Sequence, residues 1–171
     1  AFCFDNTGRF KNFSCFGQKE LPALVGSIRE AVETFHKSKP QATRIIIHFY
    51  KVISQKELKP ILDMLYNGLN LPIPIIVVTI NKTVSKELLA FDTDSTDKYM
   101  PYSGTYIRMA ERQYLLFNNT RYKPDSKVID KEYHFPIKIK LTSTHLELLD
   151  DEALIDKLID QVYQFSRMYW K

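Results

Sequence analysis

The sequence predicts a mixed α/β fold, in which helices cover a β-sheet. Short segments rich in β-branched residues alternate along the chain with amphipathic segments of helical period. The segment at 74–80 is an uninterrupted apolar run, which is typical of a strand covered on both faces. Later in the chain, a hairpin-like pair of segments and one further strand precede a long closing helix.

The first half of the chain alternates strands with helices. The predicted ranges, in the order strand, strand, helix, strand, helix, strand, are 1–5, 11–16, 22–38, 44–50, 54–67 and 74–80. Pro22 fits the first turn of the first helix, because proline is tolerated where no helical N–H bond is needed. Ser54 and Glu57 form a capping-box pattern at the start of the second helix. Gly68 is the expected stop of that helix.

The second half predicts a hairpin, a strand and a final helix. Residues 104–109 and 113–118 suggest the hairpin, and loops are expected at 92–98 and 123–132. The segment FPIKIKL at 135–141 alternates apolar and basic residues, which indicates a strand with one face in water. The helix at about 151–169 carries one apolar face, formed by Leu154, Ile155, Leu158, Ile159, Val162, Phe165 and Tyr169. This order fits an RNase H-like arrangement, although other three-layer α/β folds share the same periodicities.

Length and composition favour one folded domain. The chain has 171 residues, 44% of them hydrophobic, and a formal net charge of +4. No apolar run approaches the ~20 residues that a membrane span needs, so no membrane contact is expected. Cys3 and Cys15 suit a reducing cytoplasm, where two buried thiols are favoured over the disulfide that the pair could also form. The chain opens on strand-like sequence and its final helix is barely finished, so we expect a domain over 1–171 that is incomplete at both ends.

Motifs for common enzyme chemistry are missing from the sequence. Neither GxxxxGK[ST] nor GxGxxG occurs, so a glycine-rich phosphate loop is not supported. The patterns GxSxG, HExxH and CxxC are also absent, and the four histidines share no spacing typical of metal ligands. Most acidic residues fall on predicted helix faces and loops, whereas a two-metal site needs several acids at strand ends. The sequence therefore gives a poor case for an enzyme that is complete in itself.

Three segments carry a resemblance to a known family. They are RIIIHFYK at 44–51, MPYSGTYIRMAERQYLLFNNTRYKPD at 100–125, and FPIKIKL at 135–141 followed by IDQVYQFSRMYWK at 159–171. In this order they resemble the later part of the PIWI domain of Argonaute proteins, those of prokaryotes in particular. The resemblance implies an RNase H-like core that binds a guide strand and its complementary target, of RNA or DNA, in nucleic-acid-guided defence.

The resemblance also implies where a slicing site of acidic residues would lie. Tyr50 stands at the position of the second catalytic aspartate. A phenol is neutral at pH 7 and cannot replace a carboxylate that bridges hard cations. Glu20 is either the counterpart of the family's mobile glutamate or an acid favoured by the dipole of the following helix. We therefore expect no catalytic residues, metal or cofactor. Mg²⁺ or Mn²⁺ would bind only if an acid at another position replaced Tyr50 and restored nuclease activity.

Candidate nucleic-acid contacts follow from the same resemblance, because this family holds its guide largely through the phosphate backbone. They lie on the last helix, after the hairpin, and at two strand ends: Arg167, Ser166, Gln164, Asn118, Asn119, Arg121, Asn81, Lys82 and Lys51. Arg167 lies off the apolar face of its helix, and we expect its side chain to extend without packing. For every member of this set, the alternative is an ordinary solvated polar group.

Three functions remain open on the sequence. The first is a catalytically silent PIWI region that binds guide and target, with other Argonaute domains or an effector protein supplying the response. The second is a working metal-dependent endonuclease in which another acid replaces Tyr50. The third is an α/β interaction domain that binds no nucleic acid. Binding of Mg²⁺ or Mn²⁺ separates the first two, and salt-dependent binding of oligonucleotides separates the first from the third.

Overall fold

The structure is a computed structural model that describes residues 2–4, 10–13, 20–38, 43–81, 88–94, 100–119 and 135–167. The predicted loop at 123–132 lies outside these ranges, as do residues 95–98 of the loop expected at 92–98. The chain forms two compact units. The first comprises Ala1–Ile45 and Ile53–Ile75, and the second comprises Ile46–Val52 and Ile76–Lys171.

The first unit contains a hairpin and two helices. Strands β1 (Phe2–Phe4) and β2 (Phe10–Phe13) pair antiparallel. Helix α1 spans Leu21–Ser38 and packs against α2, which spans Gln55–Asp63. The helical sequence continues from α2 into a π-helical turn at Met64–Gly68. The inner side of this segment is fully buried, at Ile61 and Leu65. The predicted elements are thus present with small shifts of their boundaries.

Different hydrogen bonds define the start and the end of the second helical segment. At its start, the Glu57 carboxylate accepts hydrogen bonds from the Ser54 backbone N–H at 2.9 Å and from the Ser54 hydroxyl at 2.8 Å. At its end, the N–H of Leu69 bonds the carbonyl of Met64 at 2.9 Å, five residues back, which widens the last turn. Asn70, and not the predicted Gly68, takes the left-handed conformation, with φ +50°. Asparagine tolerates this conformation better than most residues.

The second unit is built on a five-stranded sheet, which confirms the predicted RNase H-like α/β fold. Its strands, in the spatial order β3-β4-β7-β6-β5, are β3 (Ile45–Phe49), β4 (Ile75–Asn81), β7 (Ile137–Ser143), β6 (Gln113–Leu116) and β5 (Tyr106–Ala110). β7 runs antiparallel to both β4 and β6, and β5 and β6 form the predicted hairpin. β7 is therefore a central strand of the sheet.

The first strand of this sheet is less buried than its composition suggests. The run at 44–50 is rich in isoleucine, as buried strands are, but β3 is only half-buried along its whole length. The cause is its place at one edge, where β4 is its neighbour in the sheet that the structure describes. β4 itself is buried from Ile75 to Thr79, as its unbroken apolar sequence predicted.

Helix α3 (Glu152–Arg167) covers one face of the sheet and completes the core of this unit. Its buried residues are the predicted ones, Leu154, Ile155, Leu158, Ile159 and Val162. They pack against alternate residues of the strands: Ile76, Val78, Tyr114, Leu116, Ile137, Ile139 and Leu141. This apolar contact is the main source of stability in the second unit. Tyr169 lies outside the described residues.

Polar contacts hold the start of α3 to the edge strand β5. The Tyr106 hydroxyl donates a hydrogen bond to Asp156, and this bond raises the pKa of Tyr106 to about 12. Arg108 Nη1 lies 3.4 Å from Glu152 Oε1. Both pairs are exposed, so they contribute less to stability than the apolar core does. None of the helices that the structure describes is long and apolar enough to cross a membrane.

Candidate nucleic-acid interface

The last turn of α3 is tied to the segment that follows β6. The Nδ2 of Asn118 donates a hydrogen bond of 2.8 Å to the hydroxyl oxygen of Ser166. The Ser166 hydroxyl in turn donates to the carbonyl oxygen of Tyr163 at 2.6 Å. Asn118 was predicted at the end of a hairpin strand and Ser166 on the last helix, and the fold brings the two side chains into contact.

Arg167 completes this polar cluster. Its Nη1 donates a 3.0 Å hydrogen bond to Oδ1 of Asn118 and lies 3.4 Å from the carbonyl oxygen of Asn119. Its Cζ lies 5.7 Å from the centre of the Tyr163 ring, within the range of a cation–π contact. The residue remains exposed to solvent. The expectation that Arg167 extends without packing is thus corrected, because the fold supplies both a hydrogen-bond acceptor and an aromatic ring beside its guanidinium.

Tyr163 contacts both Arg167 and Ser166, and so joins this cluster to residues 103 and 104. Its hydroxyl lies 3.1 Å from the hydroxyl of Ser103. Gly104 lies against the ring, and a Cβ at this position would be 3.5 Å from Cζ of Tyr163, an ordinary van der Waals contact. The φ of Gly104 is +91°, a conformation that only glycine adopts without strain. The sequence prediction did not include Tyr163, although it stands four residues before Arg167, the spacing that places two side chains on one helix face.

The side chain of Asn119 does not lie on the predicted binding surface. Its side chain is only 2% exposed, and its Nδ2 donates a 2.7 Å hydrogen bond to the carbonyl oxygen of Pro101. The side chain is therefore directed into the protein, whereas the sequence placed it in the binding surface. A buried amide must satisfy its hydrogen bonds, and the Pro101 carbonyl does this for Asn119. Its part in the cluster is the backbone carbonyl that faces Arg167.

The remaining candidates lie elsewhere in the second unit. Gln164 is exposed on α3 and donates to Oδ1 of Asp160 at 3.2 Å. Asn81 is the half-buried last residue of β4. Lys51 is exposed beyond β3, with its Nζ 5.9 Å from the centre of the Phe49 ring. Two further predicted residues, Lys82 and Arg121, lie outside the described part of the chain.

The positions implied for a slicing site carry no converging acids in the described residues. Tyr50 lies in the bend after β3, 52% exposed, with its ring centre 5.1 Å from that of Phe49. Glu20 is exposed directly before α1, and its carbonyl accepts the Leu24 N–H at 3.1 Å, as expected for a residue at a helix start. Within the described ranges, no group of three or more His, Cys, Asp or Glu side chains could hold a metal ion.

One half-buried histidine contacts α3 at Gln161 and Phe165. His48 of β3 has its Nε2 3.2 Å from Oε1 of Gln161, and its ring packs edge-on against Phe165 with 5.4 Å between ring centres. Its Nδ1 is buried with no hydrogen-bond partner among the residues the structure describes. Burial lowers the pKa of His48 below its usual value, and the bond to Gln161 offsets only part of this effect.

Comparison with known proteins gives a similarity of fold. No protein-family model matches the sequence, and no curated protein matches it. Among solved structures, the crystal structure of Marinitoga piezophila Argonaute in complex with a 5′-OH guide RNA matches with a TM-score of 0.52 and 16% identity. The match covers 87% of this chain and 22% of that Argonaute chain. The chain therefore has an Argonaute-like fold and spans less than a quarter of that protein.

Proposed function

We propose that this chain binds a guide strand, alone and paired with its target, as a catalytically inactive Argonaute-type PIWI domain. The observation that carries the proposal is the exposed guanidinium of Arg167, held by Asn118 at the end of α3. Arg167 belongs to a chain whose fold is similar to that of an Argonaute whose structure was solved with a guide RNA. We propose the same class of ligand here.

The chemistry of the cluster suits a phosphate group. Arginine remains charged at any physiological pH, and its planar fork can donate two parallel hydrogen bonds to phosphate oxygens. Asn118 and the ring of Tyr163 restrict the guanidinium, so less side-chain freedom is lost when an anion binds. A phosphate is common to every nucleotide, and we therefore propose that Arg167 contributes affinity without sequence preference.

Tyr50 supports the absence of cleavage. The second catalytic position needs an anionic oxygen to bridge metal ions, and the exposed Tyr50 side chain presents a neutral phenol. We propose that the response to a bound target comes from the remaining Argonaute domains or from an effector protein. Such an arrangement would serve nucleic-acid-guided defence through recognition of the target alone.

The test is a pair of assays, one on the purified chain and one on the whole Argonaute-type protein that the proposal implies. Fluorescence anisotropy with labelled single-stranded RNA and DNA measures the affinity of the chain. The logarithm of the association constant should fall linearly with the logarithm of the salt concentration. Weak binding with no salt dependence would favour the α/β interaction domain instead. The whole protein, loaded with guide and incubated with a matched target in Mg²⁺ or Mn²⁺, should yield no cleavage product. A single cut opposite the middle of the guide would support the metal-dependent nuclease.

A further inference from the structure

The bend that follows β3 carries an exposed aromatic ring. Tyr50 is 52% exposed, and Val52, just after the bend, is 62% exposed. Bends favour small residues such as glycine, asparagine and serine, which tolerate unusual dihedral angles or form local hydrogen bonds. A bulky aromatic residue stands here instead. The function proposed above uses Tyr50 only to explain the absence of cleavage, so its ring has no assigned part in binding.

The neighbours of Tyr50 give this surface a fixed ring and a positive charge. The ring centre of Tyr50 lies 5.1 Å from that of Phe49, with 44° between the two planes. Phe49 is half-buried at the end of β3, so it provides a stable contact for the exposed ring. The Nζ of Lys51 lies 5.9 Å from the Phe49 ring centre, and no acidic residue occurs from Arg44 to Ile53. Surfaces that bind single-stranded nucleic acid combine aromatic rings with cations in this way.

The directions of the strands place Tyr50 at the same end of the sheet as the Arg167 cluster. The N–H of Ile45, the first residue of β3, bonds the carbonyl of Pro74, which directly precedes β4, at 2.9 Å. β3 and β4 therefore start side by side and run in the same direction. Because β7 is antiparallel to both β4 and β6, β6 also runs in the direction of β3. Tyr50 after β3 and Asn118 after β6 thus leave the sheet at the same end.

The spacing of the strands gives the separation of the two groups. β4 and β7 lie between β3 and β6, so Tyr50 and Asn118 are about 14 Å apart across three strand intervals. The end of α3 contacts both sides, because Phe165 packs on His48 of β3 and Arg167 bonds Asn118. One strand of a nucleic-acid helix advances about 3.4 Å per nucleotide. The Tyr50 ring and the Arg167 guanidinium could therefore contact one strand at positions about four nucleotides apart.

We propose that the exposed Tyr50 ring stacks on an unpaired base of the nucleic-acid strand that Arg167 holds by its phosphate. Every base has a π face, so the contact is tolerant of sequence. A base within a duplex is already stacked on its neighbours, and the contact is therefore made by the strand before it pairs with a target. This inference rests on the proposed function, to which it adds a contact with the bases.

The test compares the affinity of the whole chain for two labelled strands by fluorescence anisotropy. One is a single-stranded DNA, and the other has the same length but lacks every base. Tyr50→Ala should weaken binding of the normal strand by about fivefold or more and leave binding of the abasic strand unchanged. Tyr50→Phe keeps the ring and should bind both strands like the wild type. The dependence of affinity on salt should not change in either variant, because no charge is removed.

Phe91→Ala is the matched control. The Phe91 ring is 57% exposed, but its segment, residues 88–94, contains two acidic residues, Asp92 and Asp94, and no basic one. A polyanion is repelled by such a surface, so this variant should bind like the wild type. Thermal melts show whether each variant is folded. Tyr50→Leu keeps an apolar side chain without a ring, and it should show the same loss if Tyr50→Ala does not fold.

Each outcome separates this inference from the proposed function. If folded Tyr50→Ala binds both strands like the wild type while Arg167→Ala binds weakly, the stacking contact is wrong and the proposed function stands. An equal loss on the abasic strand, or an equal loss in Phe91→Ala, would also overturn the stacking contact. If Tyr50→Phe loses as much as Tyr50→Ala, the hydroxyl makes the contact and stacking is wrong. If the wild type shows no salt-dependent binding of either strand, both proposals are wrong.

Discussion

Asn118 accepts a 3.0 Å hydrogen bond from Arg167 although the two residues lie 49 positions apart in the sequence. The same Asn118 side chain donates to Ser166, the residue before Arg167. A single amide therefore uses its oxygen and its nitrogen to bind two successive residues of α3. The direction of the Arg167 guanidinium consequently depends on how the hairpin β5–β6 and α3 come together.

Asn118→Ala should weaken nucleic-acid binding, because it removes the acceptor that orients Arg167. We expect a loss of about 0.5–1.5 kcal/mol in binding free energy. Combined with Arg167→Ala, the effect should be smaller than the sum, since both changes remove one interaction. Anisotropy with single-stranded RNA measures all three affinities. Asn67→Ala is the control, because Asn67 is exposed in the π-helical turn of the first unit, and it should bind like the wild type. Strict additivity of the two losses would contradict the orienting role of Asn118.

Gly104→Ala should destabilise the protein, because its φ of +91° strains any residue that has a Cβ. We expect a decrease of about 1–3 kcal/mol in the free energy of unfolding. Urea denaturation followed by circular dichroism provides the measurement. Gly26→Ala is the matched control, since Gly26 lies within α1 and an added methyl group there would have no atom within 4 Å. That change should be neutral or stabilising by up to about 1 kcal/mol. Equal effects of the two substitutions would be inconsistent with strain at Gly104.

His48 should make stability depend on pH in the acidic range. Burial lowers the pKa of His48 in the folded state, whereas in the unfolded state it is about 6.5. Below about pH 6.5 the unfolded chain therefore binds a proton that the folded chain resists, and stability falls as pH falls. The loss approaches about 1.4 kcal/mol per pH unit until the folded pKa is reached.

The measurement is urea denaturation between pH 7.5 and pH 5 for wild type, His48→Gln and His145→Gln. His48→Gln should remove most of this slope, whatever its effect on stability at neutral pH. His145→Gln is the control, because it removes a histidine that stands outside this buried site, and the slope should persist. Equal slopes in the wild type and His48→Gln would show that His48 does not carry the dependence.

Leu158→Ala should strongly destabilise the second unit. Leu158 is completely buried at the centre of the α3 face. Removing a buried leucine side chain leaves a cavity and costs about 2–5 kcal/mol. The control is Leu146→Ala, because Leu146 is 49% exposed and should cost less than about 0.5 kcal/mol. If Leu158→Ala leaves the denaturant midpoint unchanged, α3 does not pack on the sheet as described.

The features that the sequence predicted well are those with local causes. The buried face of α3 follows from helical spacing, and the burial of β4 follows from its unbroken apolar run. The capping of α2 also holds, because Ser54 and Glu57 interact within one turn.

The features that the sequence missed depend on distant parts of the chain. β3 has the composition of a buried strand, but its exposure is set by its place at the edge of the sheet. The burial of Asn119 depends on the Pro101 carbonyl, which the fold brings beside it. The contacts of Arg167 with Asn118 likewise join elements that are far apart in sequence. Sequence patterns could identify Arg167 as a candidate, but its orientation arises only from tertiary structure.

The most direct test of nucleic-acid binding is a salt titration of affinity for wild type, Arg167→Ala and Arg167→Lys, with thermal melts to show that all three are folded. Arg167→Ala should weaken binding of single-stranded RNA by about 1–3 kcal/mol, equally for unrelated sequences. Its salt slope should be shallower by about 0.7, whereas Arg167→Lys should keep the slope and lose part of the affinity. A folded Arg167→Ala variant with unchanged affinity and slope would contradict the assignment of this cluster as a phosphate contact.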